Sequence, residues 1–215
     1  MQKRDCPIKI EISDVSDGGL KMRMTVDGDV SDYTIHGYNG DCIAMLLQHI
    51  YYLYPGTYNP YLDCEVVETK SIFETLDDGM VAEINIPYKT EFRWLEEDTY
   101  CEWKLSRNAT MATEFDLDMS ITKSDEDNET EKKYTVSYKE FCYALAKAYT
   151  ETLKKCGING FHEAYWGEDV NFRQLLFIKA VALNRGDMIP PLFNENGEVA
   201  YSDIHKELEL LMFDM

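Results

Sequence analysis

An antiparallel β-sheet with helices packed on one face, the α+β class, follows from three features of the 215-residue sequence. Period-two hydrophobicity fills positions up to about 122, helical spacing takes over from 137, and strands nowhere alternate with helices in the manner that builds a parallel sheet. A single α+β domain over 1–215 is expected, strand-rich through 1–136 and helix-rich through 137–215.

The strands come first. Ile8, Ile10 and Ile12 alternate with Lys9 and Glu11, and Leu20, Met22, Met24 and Val26 alternate with Lys21, Arg23 and Thr25. Each run therefore has one face for a core and one for water. DVSDGG between them and DGD at 27–29 supply the Asp and Gly that tight turns need, so a three-stranded meander ending in DYTIHGY is predicted. Across 40–54, GDCIAMLLQHIYYLY, the period changes: Ile43, Leu46, Leu47, Ile50 and Leu53 share a helical face, with Asp41 as N-cap and Pro55-Gly56 as stop. Strands resume at 64–68, 80–86, 99–106 and 109–122, the last the most regular, with Met111, Thr113, Phe115, Leu117, Met119 and Ile121 on one side. The acidic stretch SDEDNETEKK at 124–133 reads as a solvated loop before a short return strand, KYTV.

Helices follow. Ser137 and Glu140 have the capping-box spacing, Leu145, Ala148, Tyr149 and Leu153 continue that helix, and Gly157 is placed as its C′ glycine. A second helix over 169–185 is apolar nearly all round, which marks it as the most buried, and it stops at Gly186. After Pro190-Pro191, Ser202 caps a last short helix containing Ile204, Leu208 and Leu211.

Charge narrows the function classes. Forty acids face 21 bases for a net charge of −19, and the excess is shared by both halves: 20 acids and 10 bases in 1–107, 20 and 11 in 108–215. A field of that sign repels phosphate backbones, so direct nucleic-acid binding is disfavoured, whereas encounter with a basic protein is accelerated. The N-terminal MQKRDCPIKIEIS lacks the apolar run of a signal peptide, and the longest apolar stretch, LLFIKAVAL, is too short to span a bilayer. A cytoplasmic protein without membrane contact is expected. Its six cysteines show no C-x-x-C and are expected to be reduced and packed as small hydrophobes.

No catalytic motif is present. G-x-S-x-G, both phosphate-loop patterns and H-E-x-x-H are missing, and His36, His49, His162 and His205 lie far apart. No metal or cofactor is expected. The alternation of Glu114, Asp116 and Asp118 with Phe115, Leu117 and Met119 is explained by the wet face of a strand, which can also form part of a negative docking surface. Two aromatic stretches add contact area. YYLYPGTYNPYL carries Tyr54, Tyr58 and Tyr61, and GFHEAYWGED joins Tyr165 and Trp166 to Glu163, Glu168 and Asp169. Together these residues form the expected partner-binding set for a basic protein, in the manner of immunity- or antitoxin-type inhibitors. The alternatives are a small enzyme assembled from Asp116, Asp118, His162 and Glu163, and a scaffold subunit acidic only for solubility.

Overall fold

The computed structural model describes residues 8–16, 18–36, 42–54, 67–75, 81–96, 99–108, 114–125, 127–164, 170–188 and 203–215. The period-two runs form a three-stranded antiparallel sheet in the order β1 (Ile8–Ser16), β2 (Gly19–Val26), β3 (Asp29–His36). The register Ile10↔Met24↔Ser31 and Ile12↔Met22↔Tyr33 puts the buried apolar side chains on one face. On the other face Arg23 grips Asp32 with two hydrogen bonds of 2.6 and 3.1 Å. The β2–β3 turn needs two residues at positive φ, and Asp27 (49°) with Gly28 (86°) provides them.

Helix α1 (Cys42–Tyr52) then leads to a second antiparallel sheet, β4 (Val67–Thr75), β5 (Val81–Glu96), β6 (Thr99–Arg107), β7 (Asp116–Ser124) and β8 (Glu129–Ser137), hydrogen-bonded in sequence order. The α+β reading holds, with the strands divided between two sheets. Strand β5, at 16 residues, is the spine: its first part pairs with β4 and its last part with β6. The inward row Phe92, Trp94, Cys101, Trp103, Leu105, Leu117, Met119, Ile121 and Val136 merges with the inward face of β1–β3 into one apolar core. Tyr33 of β3 sits among Trp94 and Trp103, at centroid distances of 5.9 and 5.5 Å, and so joins the two sheets. Burying a ring of that size contributes on the order of 4 kcal/mol.

Several expectations about strands change. The strand expected at 64–68 runs from Val67 to Thr75, with 64–66 outside the described residues, and the one expected at 80–86 continues to Glu96 because it pairs with β6 as well as β4. The acidic stretch 124–133 is mostly strand, because β7 runs to Ser124 and β8 starts at Glu129. An edge strand tolerates charge on its outer side, and the Asp125 carboxylate folds the short turn by accepting the Asp127 and Asn128 amides at 2.9 and 2.7 Å. Strand β7 begins at Asp116, and Glu114 and Phe115 precede it; residues 109–113, like Asp41, Pro55-Gly56 and Ser202, lie outside the described residues.

Helix α2 (Tyr138–Ala164) starts where predicted, with the Glu140 amide donating to Ser137 Oγ at 3.4 Å, and lies against β1. Gly157 (φ 70°, ψ 168°) stands where the stop is expected, yet the chain resumes helix beyond it, so α2 is kinked there. Helix α3 (Phe172–Ala182) packs on α1, α2 and the C-terminal helix α4 (Ile204–Met212), but it is not the most buried helix as expected: five of its 11 residues are buried against eight of 11 in α1, which is enclosed between β5 and α3. It ends before Gly186, at Asn184 (φ 55°), where the Arg185 amide reaches Ala180 O at 2.7 Å and the Asn184 amide reaches Val181 O. That is the Schellman closure, and Asn tolerates its left-handed position. Helix α4 is capped by Asp203, whose carboxylate accepts the His205 amide at 2.9 Å.

Candidate functional site

The acidic alternation of β7 lies on the outward face of the five-stranded sheet, where it is interleaved with cations. Across β5–β8 the rows read Lys89↔Ser106↔Asp118↔Thr135 and Glu91↔Lys104↔Ser120↔Lys133, followed by Arg93↔Glu102↔Thr122↔Glu131. Glu102, Asp116, Asp118 and Glu131 each have a local partner. Asp118 accepts Thr135 Oγ1 at 2.6 Å, and Asp116 and Asn108 exchange two hydrogen bonds of 3.0 Å that fasten the end of β7 to the end of β6. Hydrogen bonds from Lys104 hold the Glu102 carboxyl below its usual range, as Ser120 does for Glu131 and Lys89 for Glu68. Glu114 and Asp116, at the end of the row, are exposed, as is Glu131 on the edge strand. The face is thus a mixed-charge lattice, with four cations among its acids, instead of a uniformly negative one.

The residues named for a possible enzyme are not brought together. Asp116 lines a cleft with Asn108, Glu114, Phe115, Ser137 and Lys139. Asp118 lines another, of about 370 Å³, with lysines and hydroxyls, and neither cleft includes His162 or Glu163 at the far end of α2. Among the described residues no group of three His, Cys, Asp or Glu side chains is placed to hold a metal ion. Cys42, Cys101 and Cys142 are buried free thiols, and burial pushes Cys101 up to about 12 and raises Cys142, which suppresses the thiolate a nucleophile needs. No described helix is long and apolar enough to cross a membrane.

The aromatic segments divide. Tyr51 and Tyr52 are buried, and half-buried Tyr54 packs on Tyr138 and edge-on to Phe177 at 5.1 Å, so these rings hold α1 to α2 and α3. Phe161 is buried against Tyr149, and Glu163 projects into solvent. Tyr58, Tyr61, Tyr165, Trp166, Glu168 and Asp169 lie outside the described residues.

A surface that sequence reasoning missed is carried by α4. Leu210 turns inward onto Ala180 and Met188, with Leu176 and Leu183 beside them. Ile204, Leu208 and Met212, spaced i, i+4, i+8, turn outward at 58, 50 and 73 % exposure. At 100° per residue, Glu207 and Glu209 flank this stripe on its two sides. The sequence carried a signal for it: five apolar residues in nine is more than one core-facing stripe requires. In sequence the chain matches no family model and no curated protein, and in structure it matches no solved structure.

Proposed function

We propose that the protein is an acidic binding module that docks a basic protein through the outward face of α4. The observation that carries this reading is the Ile204–Leu208–Met212 stripe, an exposed apolar surface rimmed by Glu207 and Glu209 on a body of net charge −19. An amphipathic helix of this kind fits a partner's hydrophobic groove, reading out anchors at i, i+4 and i+8. Charge selects the occupant. A second copy of the chain would bring −19 against −19, whereas a groove rimmed by Lys and Arg gains both steering and complementarity. A protein whose own nucleic-acid-binding face is basic is such a partner, and covering that face is how an immunity- or antitoxin-type inhibitor acts. The reading places the protein in the cytoplasm, where buried thiols stay reduced.

The test is affinity capture from the host cytoplasm at low salt with wild-type protein and with Leu208→Asp, the retained protein being identified by mass spectrometry. The expected result is one basic protein, lost with Leu208→Asp and weakened severalfold by 0.3 M salt, on the order of the screening expected for rim charges. Retention insensitive to Leu208→Asp, or indiscriminate binding of lysozyme and cytochrome c as well, overturns the docking face.

A further inference from the structure

Lys179 is the one lysine buried to 0 % exposure among the described residues, and it sits in the last turn of α3. Its Nζ donates a 2.9 Å hydrogen bond to Leu211 O, a carbonyl in the last turn of α4 that has no partner within that helix. The other ties that hold α4 down are few. Leu210 is its only fully buried side chain, set in a small cluster separate from the main core; Leu211 and, beyond the helix, Met215 are half-buried against that core, and ion pairs at the surface join Arg185 with Glu209 at 3.8 Å and Lys154 with Asp214.

We propose that α4 is a clasp, a helix that leaves α3 as a unit and closes again over the ammonium group of Lys179. An ammonium has three protons to satisfy and finds one carbonyl here, so closing the clasp strips water from a charge that is incompletely repaid. The charged groups facing it are Lys154 and Glu151 of α2 and Asp214 after α4; the cation opposes the buried charge and the two carboxylates favour it. Burial is the larger effect and brings the amine down to about 8. The sign follows: the open state, with an ordinary lysine, binds the proton more tightly, so closure is weakest below pH 8 and strengthens as pH rises toward 10.5. Opening would add Leu210 and Leu211 to the stripe already exposed, which extends the surface proposed for docking. The clasp rests on that reading only for its use; the stripe is accessible with the clasp closed, so either idea can fail alone.

The experiment is millisecond hydrogen exchange of the α4 amides in the full chain, without any partner, from pH 6.5 to 9.5 and corrected for intrinsic rates, with residues 141–153 of α2 as reference. Wild type should show α4 opening far more often than α2, with protection rising severalfold between pH 7 and 9. Lys179→Met should raise protection and flatten the pH dependence. Leu210→Ala should lower α4 protection and leave 141–153 unchanged. Opening of α4 and α2 together, or lower α4 protection in Lys179→Met, overturns the clasp, and if Lys179→Met does not fold the Leu210→Ala comparison alone decides.

Discussion

At the residue scale, His49 shows how a polar side chain is kept in a core and what that costs in acid. It projects from α1 onto β5, where its ring stacks on Phe92 at 4.5 Å and meets Tyr52 edge-on, while Nδ1 shares a hydrogen bond with Thr90 Oγ1. Burial disfavours the imidazolium and brings the group down to about 4 from 6.5. The unfolded chain therefore takes up a proton through a range in which the folded one does not. The stability that depends on neutral His49 is complete above about pH 6.5, declines as pH falls, and is gone near pH 4. The expected loss between pH 7.5 and 4.5 is about 2–3 kcal/mol from this one group. Urea unfolding at the two pH values checks it: the double variant His49→Leu with Thr90→Val, which leaves neither partner without a hydrogen bond, should lose about that much less than wild type. Equal losses would mean that surface carboxylates govern acid sensitivity. Nothing in the spacing of the sequence distinguishes this histidine from His36, His162 or His205, since what sets it apart is the approach of β5 across a sequence separation of 41.

At the scale of single elements, Gly157 decides the shape of the longest helix. Its φ of 70° with ψ of 168° lies in a region that only glycine occupies readily, and apart from its chain neighbours and the helix's own backbone no atom comes within 4 Å of the place a Cβ would fill. Gly157→Ala thus costs backbone strain without a clash, about 1–3 kcal/mol, or else straightens α2 and draws Phe161 away from Tyr149. Urea denaturation gives the cost, and an unchanged midpoint would mean that the kink is not needed. Elements were legible in the sequence to the degree that their signals were local. Alternation placed β1 and β2, apolar spacing placed α1, and Ser137 with Glu140 placed the start of α2. Misreadings arose where distant packing overrode a local signal. The charged residues of 129–133 look like a loop until β7 is seen to pair with them, and Lys132 and Tyr134 reach Asp29 on β3 from that strand. On α4 the sequence offered more apolar residues than one stripe needs, Ile204, Leu208 and Leu211 among them, and the position of Met188 and Ala180 is what turns Leu210 inward and leaves Ile204 and Leu208 outside.

At the scale of the whole molecule, two sheets must be held together, and lysines from the second sheet do this by reaching across to β3. Lys123 of β7 bonds Glu96 Oε2 at 2.9 Å and Asp32 O at 2.6 Å and lies 4.2 Å over the Tyr33 ring; Lys132 of β8 bonds Asp29 at 2.8 Å and Val30 O at 2.9 Å. Geometrically the two contacts are alike, and burial separates them. Glu96 is 8 % exposed and its other oxygen accepts Trp94 Nε1, so removing Lys123 strands a carboxylate in the core, whereas both partners of the Lys132–Asp29 pair keep much of their water. Lys123→Met should therefore cost about 2–3 kcal/mol, and Lys132→Met less than about 1 kcal/mol. If the cost comes from the stranded charge, Glu96→Gln in the Lys123→Met background should recover part of it, with a coupling energy on the order of 1–2 kcal/mol in the double-mutant cycle. Equilibrium unfolding of the four proteins of that cycle, with Lys132→Met beside them, measures both. Equal costs at the two lysines, or additivity at Lys123 and Glu96, would mean that the sheets are joined by Tyr33 and its tryptophans alone, with the lysines only decorating the seam.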